Sequence, residues 1–239
     1  SVADWPASAV VCNCTGVRRG KLSDVIIKQG CQSVQSLSSC TGAGTVCGSC
    51  RPMLAELVGS SESTKEPASF PLLISGMLAL LAAVLTLLLG PFSVADSISQ
   101  SALEKFWTEG FWKEFTGYTI LGLTALVALM SLRKRHKSIN LGDFPWWRVL
   151  HTGSALAALG VLALHTGLQL GENLNSWLML NYLAIALVGA LAGIVAAKEQ
   201  AIGGLRGRKL RAAFNWLHIL MFWPLPVLLG FHIVSAYYF

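Results

Sequence analysis

Apolar residues are distributed in two unlike ways along this chain. From residue 70 onward they gather in five long stretches, roughly 70–90, 115–132, 148–170, 176–197 and 212–238. Each reaches or approaches the ~20 residues that a helix needs to cross a ~30 Å hydrocarbon core, and the second is the shortest. Residues 1–58 instead alternate short apolar and polar runs. Within them 22–28 predicts a helix, with Ser23 or Asp24 near its start and Gly30 just past its end. Segments 32–37 and 51–58 predict two more. Small and polar residues at 59–69 read as a linker. The pattern therefore predicts an all-α chain: a small helical domain at 1–58, the linker, and a five-helix transmembrane bundle at 70–239.

Between the first two apolar stretches, Leu103, Phe106, Trp107, Phe111 and Trp112 recur at helical spacing within 95–114. That segment is expected to lie along the membrane interface, with an ordinary structured loop as the alternative. Composition agrees with the division. The chain is 54% hydrophobic and only 13% charged, where a soluble domain carries roughly 25%. No charged, short apolar and cleavable opening marks a secretory signal.

The net charge of +6 raises a nucleic-acid partner, but the placement of the basic residues argues for topology instead. Arg133, Lys134, Arg135, Lys137 and Arg148 flank one loop, and Lys198, Arg206, Arg208, Lys209 and Arg211 another. The remaining connections carry Asp96, Glu104, Glu109, Glu114 and Glu172, with Lys105 and Lys113 as their only basic residues. Basic loops stay inside. With five crossings this predicts a multi-pass protein of the inner (plasma) membrane, its N-terminal domain cytoplasmic and its C-terminus outside. Tyr237, Tyr238 and Phe239 then anchor the outer interface among membrane lipid.

All six cysteines lie between positions 12 and 50. Cys12-Asn13-Cys14 and Cys47-Gly48-Ser49-Cys50 form two close pairs, suited to zinc or to an iron–sulfur cluster. The absence of a histidine after Cys50 excludes c-type haem attachment. Paired spacing and an inside location favour thiolates over disulfides, and Cys31 and Cys40 read as small, partly buried residues. The run Thr41-Gly42-Ala43-Gly44-Thr45-Val46-Cys47-Gly48-Ser49-Cys50-Arg51-Pro52, with the earlier Val11-Cys12-Asn13-Cys14 and the intervening 22–30 helix, resembles bacterioferritin-associated ferredoxin-like domains. That resemblance covers about residues 10–58. It implies one 2Fe–2S cluster with Cys12, Cys14, Cys47 and Cys50 as ligands. Arg18, Arg19 and Arg51 either guide an acidic partner or form a solvated face.

Of five histidines, His136 falls in a basic loop, and four fall in predicted membrane helices, where ionisable groups default to function. His151 and His165 are fourteen residues apart, as are His218 and His232. Fourteen residues make just under four turns and about 21 Å of rise, so each pair shares a face and spans most of the bilayer. The third and fifth crossings run in the same direction. His151 is therefore level with His218 near the inside, and His165 with His232 near the outside. Two imidazoles at one depth can clamp a haem iron from both sides. The tripeptide His-Thr-Gly occurs at both 151 and 165, with Gly160 midway, leaving room for a porphyrin or for helix packing. Arg148, Arg208 and Arg211 lie at the inner haem level, where propionates need cations, and Asn173 or Asn175 at the outer one. In histidine layout, 115–239 resembles diheme cytochrome b subunits and ferric-reductase-like transmembrane domains, with a different crossing number and a fused N-terminal domain.

These readings predict an electron-transfer subunit of an oxidoreductase complex, with one 2Fe–2S cluster and two haem b. No G-x-G-x-x-G fingerprint is present, so hydride chemistry would come from a partner, a cytoplasmic flavoprotein or other reductase. An outer-side electron carrier would complete the path, in either direction. The alternatives are a quinone oxidoreductase cytochrome b subunit and a membrane-anchored iron–sulfur sensor without haem.

Overall fold

The computed structural model describes residues 1–60, 68–89, 105–135, 144–202 and 204–238. It is predominantly helical, with one departure from the all-α expectation. Val10–Cys12 (β1) and Val17–Arg18 (β2) pair as a short antiparallel hairpin. The turn between them passes through Gly16 at positive φ. The first cysteine pair thus sits on a strand and its turn, a geometry that three residues of alternation are too short to announce.

Three helices complete the N-terminal unit: α1 (Arg19–Gln29), α2 (Val34–Thr41) and α3 (Arg51–Leu57). Helix α1 stops where Gly30 turns left-handed, and α2 opens with a capping box between Ser33 and Ser36. Each helix sends one leucine, Leu22, Leu37 or Leu54, into a common core, where all three are fully shielded from solvent. Val2, Trp5, Val11 and Val17 close around them. Burying each leucine stabilises the unit by roughly 1.5–3 kcal/mol before conformational entropy is counted. Glu56 accepts a hydrogen bond from the Val2 amide at 2.9 Å, tying the first residues to α3.

Cys31 and Cys40 depart from expectation as well. They are joined as a disulfide between the end of α1 and α2. The close packing of α1 on α2 brings them together, and that is a tertiary fact.

The apolar stretches form α4 (Ser69–Leu89), α6 (Gly110–Arg135), α7 (Phe144–Thr166), α8 (Asn173–Ile202), α9 (Gly204–Phe222) and α10 (Leu225–Tyr238). Among the described residues, four candidate spans are long and apolar enough to cross a membrane: Ser69–Leu88, Phe144–Thr166, Asn173–Glu199 and Leu205–Tyr238. The predicted second crossing falls within α6. The predicted last crossing is broken between α9 and α10 at Trp223 and Pro224, because proline has no amide proton to continue the ladder. Residues 95–104 of the expected interface segment, and His136 of the basic loop, lie outside the described residues. The short α5 (Lys105–Thr108) and the start of α6 cover its remainder, where Phe106, Phe111 and Phe115 stack around Trp112.

Helix α8 packs along α4 and α9, α6 packs along α7, and α4 also meets α7. Hydroxyl pairs join helices where apolar contact alone gives little preference in lipid. Ser75 and Thr152 approach to 2.7 Å between α4 and α7, and Thr124 and Tyr182 to 3.1 Å between α6 and α8. Among the described residues, α7 and α9 are not packed closely on each other.

Candidate iron–sulfur and histidine sites

The hairpin carries Cys12 and Cys14, and the loop entering α3 carries Cys47 and Cys50. The fold brings the four sulfurs into two close pairs, each drawing one cysteine from either segment. Cys14 and Cys47 approach to 3.2 Å, and the Cys50 thiol donates to Cys12. Cys12, Cys47 and Cys50 are buried and Cys14 is partly so. Gly44 is needed here on two counts. Its φ is +79°, and a Cβ would lie 3.3 Å from both the Arg51 and the Leu54 side chains.

The electrostatics favour anionic sulfur. The hydrogen bond from Cys50 pulls the Cys12 thiol down to about 5, with the Gly44 and Thr15 amides assisting against the opposing effect of burial. The Cys14 thiol, followed by the Arg148 charge, pulls Cys47 down to about 4, again against burial. Cys50, the donor to Cys12, is pushed up by that bond and by burial. Each close pair therefore holds one easily ionised sulfur.

Among the described residues, no three His, Cys, Asp or Glu side chains converge as one ion would require. Zinc held by four thiolates needs all four sulfurs around a single point. Two close pairs instead match a cluster in which each of two irons takes two protein ligands. The donor set fits a 2Fe–2S group.

This unit rests on the ends of the long helices that carry Arg148, Glu199 and Arg208. Arg148 of α7 donates to Ser49, inside the Cys47–Cys50 loop. Arg208 of α9 reaches the Met53 Sδ at 3.6 Å, and Leu205 packs against the N-terminal core. Glu199 of α8 binds Arg208 at 3.1 Å and Arg211 at 2.5 Å, all three side chains being buried. The sequence reading set Arg148, Arg208 and Arg211 beside haem propionates; the structure gives each a protein partner. Glu199, which lies beside the basic residues at 198–211, is the residue that sequence reasoning missed.

The four membrane histidines come together in two sets. The rings of His151 and His218 have centroids 6.1 Å apart and are inclined at 80°. They bridge α7 and α9, helices that otherwise stand apart. His232 lies within electrostatic range of His165. Asn175 meets His232, whereas Asn173 begins α8 at positive φ.

Each ring engages an oxygen through Nδ1. His151 reaches the Val127 carbonyl at 3.0 Å, and His218 the Ile185 carbonyl at 3.2 Å. His232 reaches Asn175 Oδ1 at 2.8 Å. His165 reaches Thr116 Oγ1 at 2.9 Å, whose own proton goes to the Trp112 or Lys113 carbonyl. A carbonyl oxygen can only accept, so Nδ1 of His151, His218 and His232 carries the proton and Nε2 keeps its lone pair, while the Thr116 hydroxyl suits either tautomer of His165. Local sequence makes room for two of these contacts. Gly189 sits one turn beyond Ile185, and a Cβ there would stand 2.7 Å from His218 Cε1. Gly117 sits one turn beyond Lys113, and a Cβ there would stand 3.3 Å from His165 Cε1.

Comparison with known proteins bears on the N-terminal unit. The chain is 37% identical over 49 residues to the nitrite reductase [NAD(P)H] of Bacillus subtilis (strain 168), covering 20% of this chain and 6% of that protein. It is 35% identical over 69 residues to the assimilatory nitrate reductase electron transfer subunit of the same organism, covering 28% of this chain and 9% of that protein. The chain thus spans less than a tenth of the length of either relative. No solved structure matches it. Residues 10–60, which contain all four clustered cysteines, match the family model of the BFD-like [2Fe-2S] binding domain.

Proposed function

We propose that this chain is a one-electron conduit across a membrane, joining a cytoplasmic 2Fe–2S domain to a five-crossing span that holds two b-type haems. Cys12, Cys14, Cys47 and Cys50 would hold the cluster. His151 and His218 would hold the inner haem, and His165 and His232 the outer one. When bound, these groups supply reversible one-electron chemistry, with no proton or bond transferred. The electron-transfer role named for one relative supports membership of a redox complex. A cytoplasmic reductase and an outer-side carrier are the partners this layout needs.

The observation that carries the reading is the approach of His151 to His218. Two metal–imidazole bonds of about 2 Å each, plus the two ring radii, put facing centroids about 6 Å apart. The observed 6.1 Å matches that span. Both rings are fixed through Nδ1 by backbone carbonyls, the arrangement that orients a metal-binding imidazole and leaves Nε2 for the iron. The two rings meet between α7 and α9, and cofactors of helix bundles sit between facing helices. The chain's own work is to hold the rings at fixed depth, exclude water from the bundle, and seat the cysteine loop against α7, one turn before His151.

The test is a redox-difference absorption spectrum of the purified full chain, with iron and haem measured per chain. The expected result is a sharp reduced α-band and two haems beside one cluster. His165→Ala or His232→Ala should each cost one haem and leave the cluster intact. A cluster-loaded chain with no α-band would overturn the conduit and leave an iron–sulfur sensor with a membrane anchor.

A further inference from the structure

Ser49 lies between two clustered cysteines, is 3% exposed, and has two neighbours for a single hydroxyl group. Its Oγ is 3.3 Å from Cys47 Sγ, a contact in which either atom alone could donate. It also receives a hydrogen bond from the Arg148 guanidinium. A guanidinium has protons only to give and accepts nothing. Arg148 therefore occupies one of the two oxygen lone pairs, and a cluster-bound Cys47 sulfur would have no proton of its own to give. With the cluster in place the bonds run in one direction: Arg148 to Ser49 to Cys47.

We propose that Arg148 is a positioning residue that orients the Ser49 hydroxyl as a donor to Cys47 Sγ, so that membrane helix α7 sets the reduction potential of the iron–sulfur cluster. This deepens the conduit reading and rests on it. Hydrogen bonds to cluster sulfurs and nearby positive charge stabilise the more negative, reduced state. A hydroxyl polarised by a guanidinium is a stronger donor than a free one. The guanidinium comes from the helix that bears His151, three residues farther on, rather than from the cluster's own domain. The potential is thereby tied to docking: with the domain lifted from α7, the hydroxyl loses its orienting partner and the cluster becomes harder to reduce.

The experiment is a redox titration of the cluster by electron paramagnetic resonance in the purified full chain. Variants are Ser49→Ala, Arg148→Gln, the double variant and Arg148→Lys. Both single neutral variants are expected to move the potential downward. The double variant should shift by less than the sum of the two, because both remove one shared bond. Arg148→Lys, which keeps a donor and a charge, should recover most of the shift. An unmoved potential in Ser49→Ala overturns the proposal, and so does a double shift equal to the sum. Ser49→Ala alters no membrane residue, so the proposal stays open to refutation even where Arg148→Gln fails to assemble. The titration reads the cluster alone, and absence of haem would leave these shifts in place. A wild-type chain without a cluster signal would instead sink the conduit and the proposal together.

Discussion

Gly189 lies beneath the imidazole of His218, so close that a methyl group there would stand 2.7 Å from Cε1 and 3.0 Å from Nδ1. The helical bond that Gly189 would donate to Ile185 is made to the same carbonyl that receives His218 Nδ1. The missing side chain is what lets the ring reach over the helix.

Gly189→Ala should therefore displace His218 and cost the inner haem. Haem per chain should fall by about half, with helix content by circular dichroism retained. Gly117→Ala, at 3.3 Å from the His165 ring edge, should have the same sense and a smaller effect. Full haem content in Gly189→Ala would show that the ring tolerates displacement.

Cys47→Ser should abolish the visible spectrum of the cluster and lower iron by two per chain, while the haem α-band persists. The two sites share no ligand, and the separation of signals follows. Loss of both sets together would point to a folding defect in the whole chain.

Glu199 binds two arginines that are themselves buried. Removing one member of such a group strands the other charges, at a cost of about 3–5 kcal/mol. Glu199→Gln should lower the thermal midpoint of the detergent-solubilised chain clearly, and loosen α9 against α8. A midpoint unchanged from wild type would mean that water reaches these guanidinium groups.

Leu37 is fully enclosed between α1 and α3. Leu37→Ala removes that packing and should destabilise the N-terminal unit by about 2–5 kcal/mol. Hydrogen exchange of the α2 amides should accelerate, while exchange in α8 stays as it was.

What the sequence could determine was whatever is carried by spacing along one chain segment. The apolar stretches forecast α4 to within a residue of its ends and placed α7 and α8 with ends several residues off, because a lipid-length helix needs only a continuous run of apolar side chains. Gly30 marked the end of α1, since a left-handed cap favours glycine. The paired cysteines and the fourteen-residue histidine intervals named the candidate donors before any fold was known. Pro224 was also legible as a helix break, yet a long apolar run masked it.

Tertiary packing alone decided the rest. The Cys31–Cys40 pairing, the hairpin under Cys12, the Glu199 arginine pair and the Arg148–Ser49 contact each join residues far apart in sequence or set by a turn too short to carry a pattern. Periodicity reports which face of an element is apolar; it holds no record of which other element covers that face. Arg148 illustrates the difference. Its charge and its place near the start of an apolar helix were readable from the sequence, but its partner was fixed only when the cysteine domain came to rest on α7.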